Sequence, residues 1–98
     1  MISRIVLLKL HEQAMPGRED FARSALDFLR ALPMVGDVRI GLPADADSAR
    51  SWDLALQVFF SDPAALDAYL ADPAHQAFVT EEILPRAAVR KAWNFALL

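Results

Sequence analysis

From Trp52 to Phe60 the chain reads WDLALQVFF, and its bulky apolar residues fall on every second position. Trp52, Leu54, Leu56, Val58 and Phe60 point one way, while Asp53, Ala55, Gln57 and Phe59 point the other. That period of two predicts a strand with one face turned to a core. Such a strand needs partners, and the opening stretch ISRIVLLKL supplies one. It is apolar on both parities, with Ile2, Val6, Leu8 and Leu10 on one face and Ile5 and Leu7 on the other, which predicts burial on both sides.

The rest of the chain fills in around these two strands. After the break HEQAMPG, a helical pattern begins at Glu19 and places Phe21, Ala25, Phe28, Leu29 and Leu32 on one stripe; Pro33 ends it. GDVRIGL reads as a short second strand, and PADADSARS as a polar turn region of low order. Near the end, AAVRKAWNFAL sets Val89, Trp93, Phe95 and Leu97 against Arg90, Ala92, Asn94 and Ala96 as a last strand. Between these lies DPAALDAYLADPAHQAF, in which Asp-Pro-Ala occurs twice. Asp caps a helix through its side-chain oxygen, and Pro suits the first helical position. Asp62 therefore opens one helix, and Asp72 ends it by opening another, because Pro73 pushes Asp72 out of helical geometry.

The order strand, helix, strand, strand, helix, strand in 98 residues fits one α+β domain spanning residues 1–98, with a ferredoxin-like βαββαβ fold. Both helices then cover one face of an antiparallel sheet. The other face keeps Ala55, Phe59 and the apolar residues of the first strand, more than a lone soluble chain leaves in water, so a homodimer with sheets packed face to face is expected. A net charge of −3 without a basic cluster speaks against nucleic acid and anionic membranes as partners. The chain has no cysteine, which excludes disulfides and thiolate chemistry and is compatible with a cytoplasmic location. No stretch reaches the ~20 apolar residues of a membrane span. His11 and His75 have no partner at metal-ligand spacing, and the three glycines form no phosphate loop, so neither a metal nor another cofactor is expected.

The segments RIVLLKL, RALPMVGDVRIG, WDLALQVFFSD, LDAYLADPAHQAFV and WNF resemble the stress-responsive dimeric α/β-barrel (Dabb) family over nearly the whole chain. Its hallmark stretch corresponds to Tyr69 through His75. The resemblance implies a dimeric α/β barrel and a family of plant stress-induced proteins, bacterial members of unknown role, and a plant polyketide cyclase that closes a linear tetraketide by aldol condensation. In that cyclase a tyrosine and a histidine do the work, and they match Tyr69 and His75. At two positions this sequence departs from the family: Arg4 stands where a first-strand His is common, and Asp72 replaces the first residue of His-Pro-Ala-His.

In the first turn of its helix, His75 meets partial positive charge and is expected neutral near pH 7, the form a general base needs. Tyr69, one turn earlier, would offer its O–H to a carbonyl oxygen gaining negative charge. The pair suits enolisation and aldol closure of a small, hydrophobic, oxygenated molecule without a cofactor. In the alternative, His75 braces the helix break, Tyr69 packs its ring, and the protein is a non-catalytic stress-associated homodimer whose pocket its own side chains fill. A pocket is expected between the first helix and the sheet, near Val6, Leu8, Phe21, Ala25 and Leu26, with Tyr69 and His75 at its rim. The small Ala22 and Ala25 either leave room for a ligand or let helix and sheet approach. Arg4 shares a strand face with Val6 and Leu8, and a charge there needs a partner: Asp53, or an anionic ligand such as a carboxylate. Glu81 and Glu82 are expected in solvent, as is His11.

Overall fold

In the computed structural model, which describes residues 1–98, β1 (Ile2–Leu10) lies antiparallel between β3 (Leu54–Phe60) and β4 (Ala87–Ala96). β2 (Asp37–Gly41) pairs with the far side of β3, giving the order β2-β3-β1-β4 of a ferredoxin-like sheet. The alternation in β3 decides which face is which. Ile2, Val6 and Leu8 sit opposite Phe60, Leu56 and Leu54, so large apolar side chains of both strands share one face. Leu8, Leu54, Leu56, Val58 and Phe60 are buried there, joined by Val38 of β2. Gly36 leads into β2 with its N–H on the Phe59 carbonyl at 2.8 Å, and a Cβ would stand 3.1 Å from that oxygen, so a larger residue would push the strand away.

That face is covered by α1 (Arg18–Arg30), α3 (Pro63–Ala71) and α4 (Pro73–Phe78). α1 presents Phe21, Ala25 and Leu29, spaced four apart, to the core. Both Asp-Pro pairs start helices as the sequence predicts. Asp62 accepts the Ala65 N–H and Asp72 the His75 N–H, each at 2.8 Å, and Asp72 is extended with ψ of 125°. The break between α3 and α4 is thus a cap on one side and a proline constraint on the other. After α4, a π-helical turn (Val79–Ile83) closed by the Leu84 N–H on the Val79 carbonyl leads to β4. No helix is long and apolar enough to cross a membrane.

Two expectations need correction. The stretch Ala46–Ser51, expected as a turn region, forms a short helix, α2, because Asp45 caps it through the Ser48 N–H and Arg50 reaches back to Asp47. Glu81 and Glu82 are exposed as expected, with Arg86 donating to the Glu82 carboxylate and carbonyl. Asp53 does not pair with Arg4. The antiparallel register places Arg4 opposite Val58, whereas Asp53 lies at the other end of β1, where its carboxylate accepts the Leu10 N–H at 2.8 Å and approaches Lys9 Nζ at 3.4 Å.

The second sheet face carries Ile5 and Leu7 of β1, Phe59 of β3, and Val89, Trp93 and Phe95 of β4. No helix covers it, and Trp93 and Phe95 remain 46% and 51% exposed. The buried Asp53 holds the opposite end of β1 in place, so Asp53→Ala strands the Leu10 N–H and should lower the unfolding free energy by about 2 kcal/mol. Lys9→Ala, at a partly exposed ammonium, should cost under about 1 kcal/mol in the same urea titration.

Candidate functional site

The break at Asp72 turns the chain so that Tyr69, at the end of α3, and His75, at the start of α4, lie against each other. Their ring centroids are 3.8 Å apart with planes inclined by 34°, and Phe60 lies 4.9 Å from Tyr69 on the other side. The two rings stack; neither donates a hydrogen bond to the other's polar atom. Both are buried, at 3% and 7% exposure. His75 Nδ1 is the one fully buried side-chain polar atom in the molecule without a hydrogen-bond partner. The Tyr69 carbonyl stands near the imidazole and favours its charged form, but it already accepts the Asp72 N–H and makes no well-formed bond to Nδ1.

Arg4 reaches this site from β1. Its Nη1 donates to Asn94 Oδ1 at 2.9 Å, across a pair of directly opposed residues on β1 and β4. Arg90 and Ala92 follow on the same face of β4, opposite Leu8 and Val6. Electrostatically the four charged or titratable side chains form one group. Burial pushes the Tyr69 phenol up to about 12, against a smaller pull from Arg4 and Arg90. Burial, then Arg4, holds the His75 imidazole below its ordinary value, with Asp72 opposing and Arg90 adding to the depression. Burial lowers Arg4 as well, with Arg90 acting in the same direction and Tyr69 against it. At neutral pH the site therefore contains a protonated phenol beside an uncharged imidazole.

The structure thus brings Arg4, Tyr69 and His75 together and sets Val6 one step along the floor. It does not bring the remaining expected lining residues to them. Leu8 and Ala25 are wholly enclosed and Phe21 nearly so, since the small Ala25 lets α1 sit directly on the sheet. The pocket expected between α1 and the sheet is therefore occupied by the core itself. Phe21 is covered by the Arg86 guanidinium, 4.6 Å from its ring, and Leu26 lines a shallow groove with Ala22, Ile40 and Leu42 on the flank of α1. The largest depression, about 590 Å³, lies instead between α2 and the open sheet face, lined by Leu7, Leu42, Trp52 and Ala55 among others. No three His, Asp or Glu side chains come close enough together to hold a metal ion. Arg90 and Asn94 were not singled out from the sequence. Their alternation against Trp93 and Phe95 marks a face, but the register with β1 that puts them beside Arg4 is a tertiary fact.

The sequence profile of the stress responsive A/B barrel domain, Dabb, matches residues 2–96. The chain belongs to the Dabb family. Among solved structures, a Dabb family protein with a ferredoxin-like fold from Mesorhizobium loti superposes with a TM-score of 0.83 at 21% identity, covering 99% of this chain and 96% of that one. A dimeric ferredoxin-like protein of unknown function from Thermobifida fusca is similar at 27% identity and TM-score 0.80, covering 98% and 90%. The hydroxynitrile lyase of Passiflora edulis shares the fold at 14% identity and TM-score 0.83, covering 99% and 93%. No curated protein matches the chain at significant sequence similarity. Within this Dabb domain, the Tyr-His pair falls in the stretch that the family resemblance emphasises.

The pH profile follows from the two burial effects. Below pH 6.5 the unfolded chain protonates His75 while the folded state resists, so stability should fall as pH drops from 6.5 through the lower folded value. Above pH 10 the unfolded chain ionises Tyr69 first, so stability should fall again between 10 and about 12. An NMR titration should place the His75 midpoint below 6.5, and Arg4→Met should raise it by removing a neighbouring positive charge.

Proposed function

We propose that this Dabb domain binds a small, hydrophobic, oxygenated molecule beside Tyr69 and His75 and catalyses its carbon–carbon bond chemistry without a cofactor, as an aldol cyclase does. The supporting observation is the stacked pair itself: a neutral, buried imidazole with an unpartnered nitrogen, next to a phenol that keeps its proton. The imidazole takes a proton from a carbon flanked by carbonyl groups. As the electron pair moves onto the carbonyl oxygen, the Tyr69 O–H stabilises the enolate. The enolate carbon then attacks a second carbonyl of the same chain, one C–C bond forms, and the new alkoxide recovers the proton from the imidazolium. No electrons leave the substrate and none are supplied. A hydroxynitrile lyase on the same fold is consistent with lyase chemistry at such a scaffold.

The closed packing around Leu8 and Ala25 favours a second reading, a non-catalytic homodimer whose core has filled the pocket. A linear poly-β-keto thioester separates the two. On the first reading the protein should accelerate ring closure over buffer, and His75→Ala and Tyr69→Phe should each reduce the rate by at least about a hundredfold. An unaccelerated reaction, or variants that lose several degrees of stability without an effect on rate, would leave the second reading standing.

Both readings include a homodimer formed through the open sheet face. Its support is the exposure of Trp93, Phe95 and Val89 on a face no helix covers, together with the dimeric state given for the proteins from Thermobifida fusca, Bacteroides fragilis and Jannaschia. Light scattering at micromolar concentration should give twice the protomer mass, and Trp93→Glu, which buries a charge in such an interface, should give the protomer mass.

A further inference from the structure

Five of the ten lysine and arginine side chains form ion pairs: Lys9 with Asp53, Arg23 with Glu19, Arg39 with Asp37, Arg50 with Asp47 and Arg86 with Glu82. Of the other five, Arg4, Arg18, Arg30, Arg90 and Lys91, it is Arg4 and Arg90 that act on Tyr69 and His75. Arg4 is the more telling of the two, because it is half-buried and its side chain bonds only a neutral acceptor, the Asn94 amide oxygen. A guanidinium taken out of water without a counter-charge costs free energy that a neutral side chain would avoid. Its charged neighbour is a second cation, Arg90, which weakens its basicity further. The one carboxylate that acts on His75, on Asp72, already accepts the His75 backbone N–H. Two positive charges against that single carboxylate leave the site positive, on a protein whose net charge is −3.

We infer that the ligand of this site is a carboxylate, held by Arg4 and Arg90 over the floor formed by Ala92 and Asn94, with its reactive or apolar portion turned to Tyr69 and His75. The inference rests on the reading of Tyr69 and His75 as a ligand site and narrows it to organic acids. A planar carboxylate suits a guanidinium because two parallel N–H donors meet two oxygens. Asn94 turns its oxygen to Arg4, which leaves its amide N–H groups free to donate to the same anion. His75 Nδ1, fully buried and without a hydrogen-bond partner, lies beside Tyr69.

Benzoate and its neutral counterpart benzamide test this, with the His75 ring and the Asn94 side-chain amide as NMR reporters. Benzoate should shift both reporters and bind at least about tenfold more tightly than benzamide, and Arg90→Gln should remove most of that difference. Arg90 lies exposed on the edge strand, so its replacement leaves the fold intact; Arg4→Gln should have the same effect, and inorganic phosphate should compete only weakly. Equal binding of benzoate and benzamide at these reporters would overturn the carboxylate assignment and keep the ligand site. Absence of any shift at His75 and Asn94 with either compound would overturn both.

Discussion

The antiparallel pairing of the first and third strands is the constraint on which the rest depends. Once Val6 and Leu8 face Leu56 and Leu54, the period of two decides every other side chain on those strands. One face becomes the core and takes the helices. The other keeps Ile5, Leu7 and Phe59, and the position of Arg4 on the helix side follows from the same parity. The charge at residue 4 is therefore not a surface accident; the strand's register carries it into the region where Tyr69 and His75 lie.

Much of this architecture is legible in the sequence because its signals are local and redundant. The alternation in β3, the two Asp-Pro helix starts and the stop before Pro33 each carry their own physical reason, and all of them agree with the folded chain. What local signals could not supply was distance. Asp53 does not neutralise Arg4, because antiparallel strands bring the start of one to the end of the other, and the buried carboxylate accepts a backbone N–H instead. Ala25 reads the same way in sequence whether it leaves a void or permits close approach; only the helix position shows that it permits close approach. Likewise α2 was hidden because Asp, Ser and Ala serve turns and short capped helices equally well.

The replacement of a family histidine by Asp72 has a visible structural role. Its carboxylate caps α4 through the His75 N–H, so the residue that starts the helix is bonded to the residue that presents the imidazole. It also opposes, in part, the depression that burial and Arg4 impose on that ring. The exchange of a second imidazole for arginine at residue 4 acts in the other direction. Together the two changes move the site away from several titratable rings toward fixed charges surrounding a single one. Such an arrangement varies less with pH over the physiological range, since only His75 has an ordinary value close to neutrality.

β4 is an edge strand that is read from both sides. Trp93 and Phe95 project to the uncovered sheet face, while Arg90, Ala92 and Asn94, interleaved with them, share the helix-side face with Arg4 and Val6. A slip of one position along β1 would exchange the two sets, putting an indole where the amide now meets Arg4 and sending Arg90 into the greasy side. The strand can absorb slack where its register already shifts, beside Lys9 and Leu10, far from the ring pair. Insertions or deletions tolerated in this protein should accordingly cluster at that irregular corner, and the run from Arg90 to Phe95 should resist any change in its spacing.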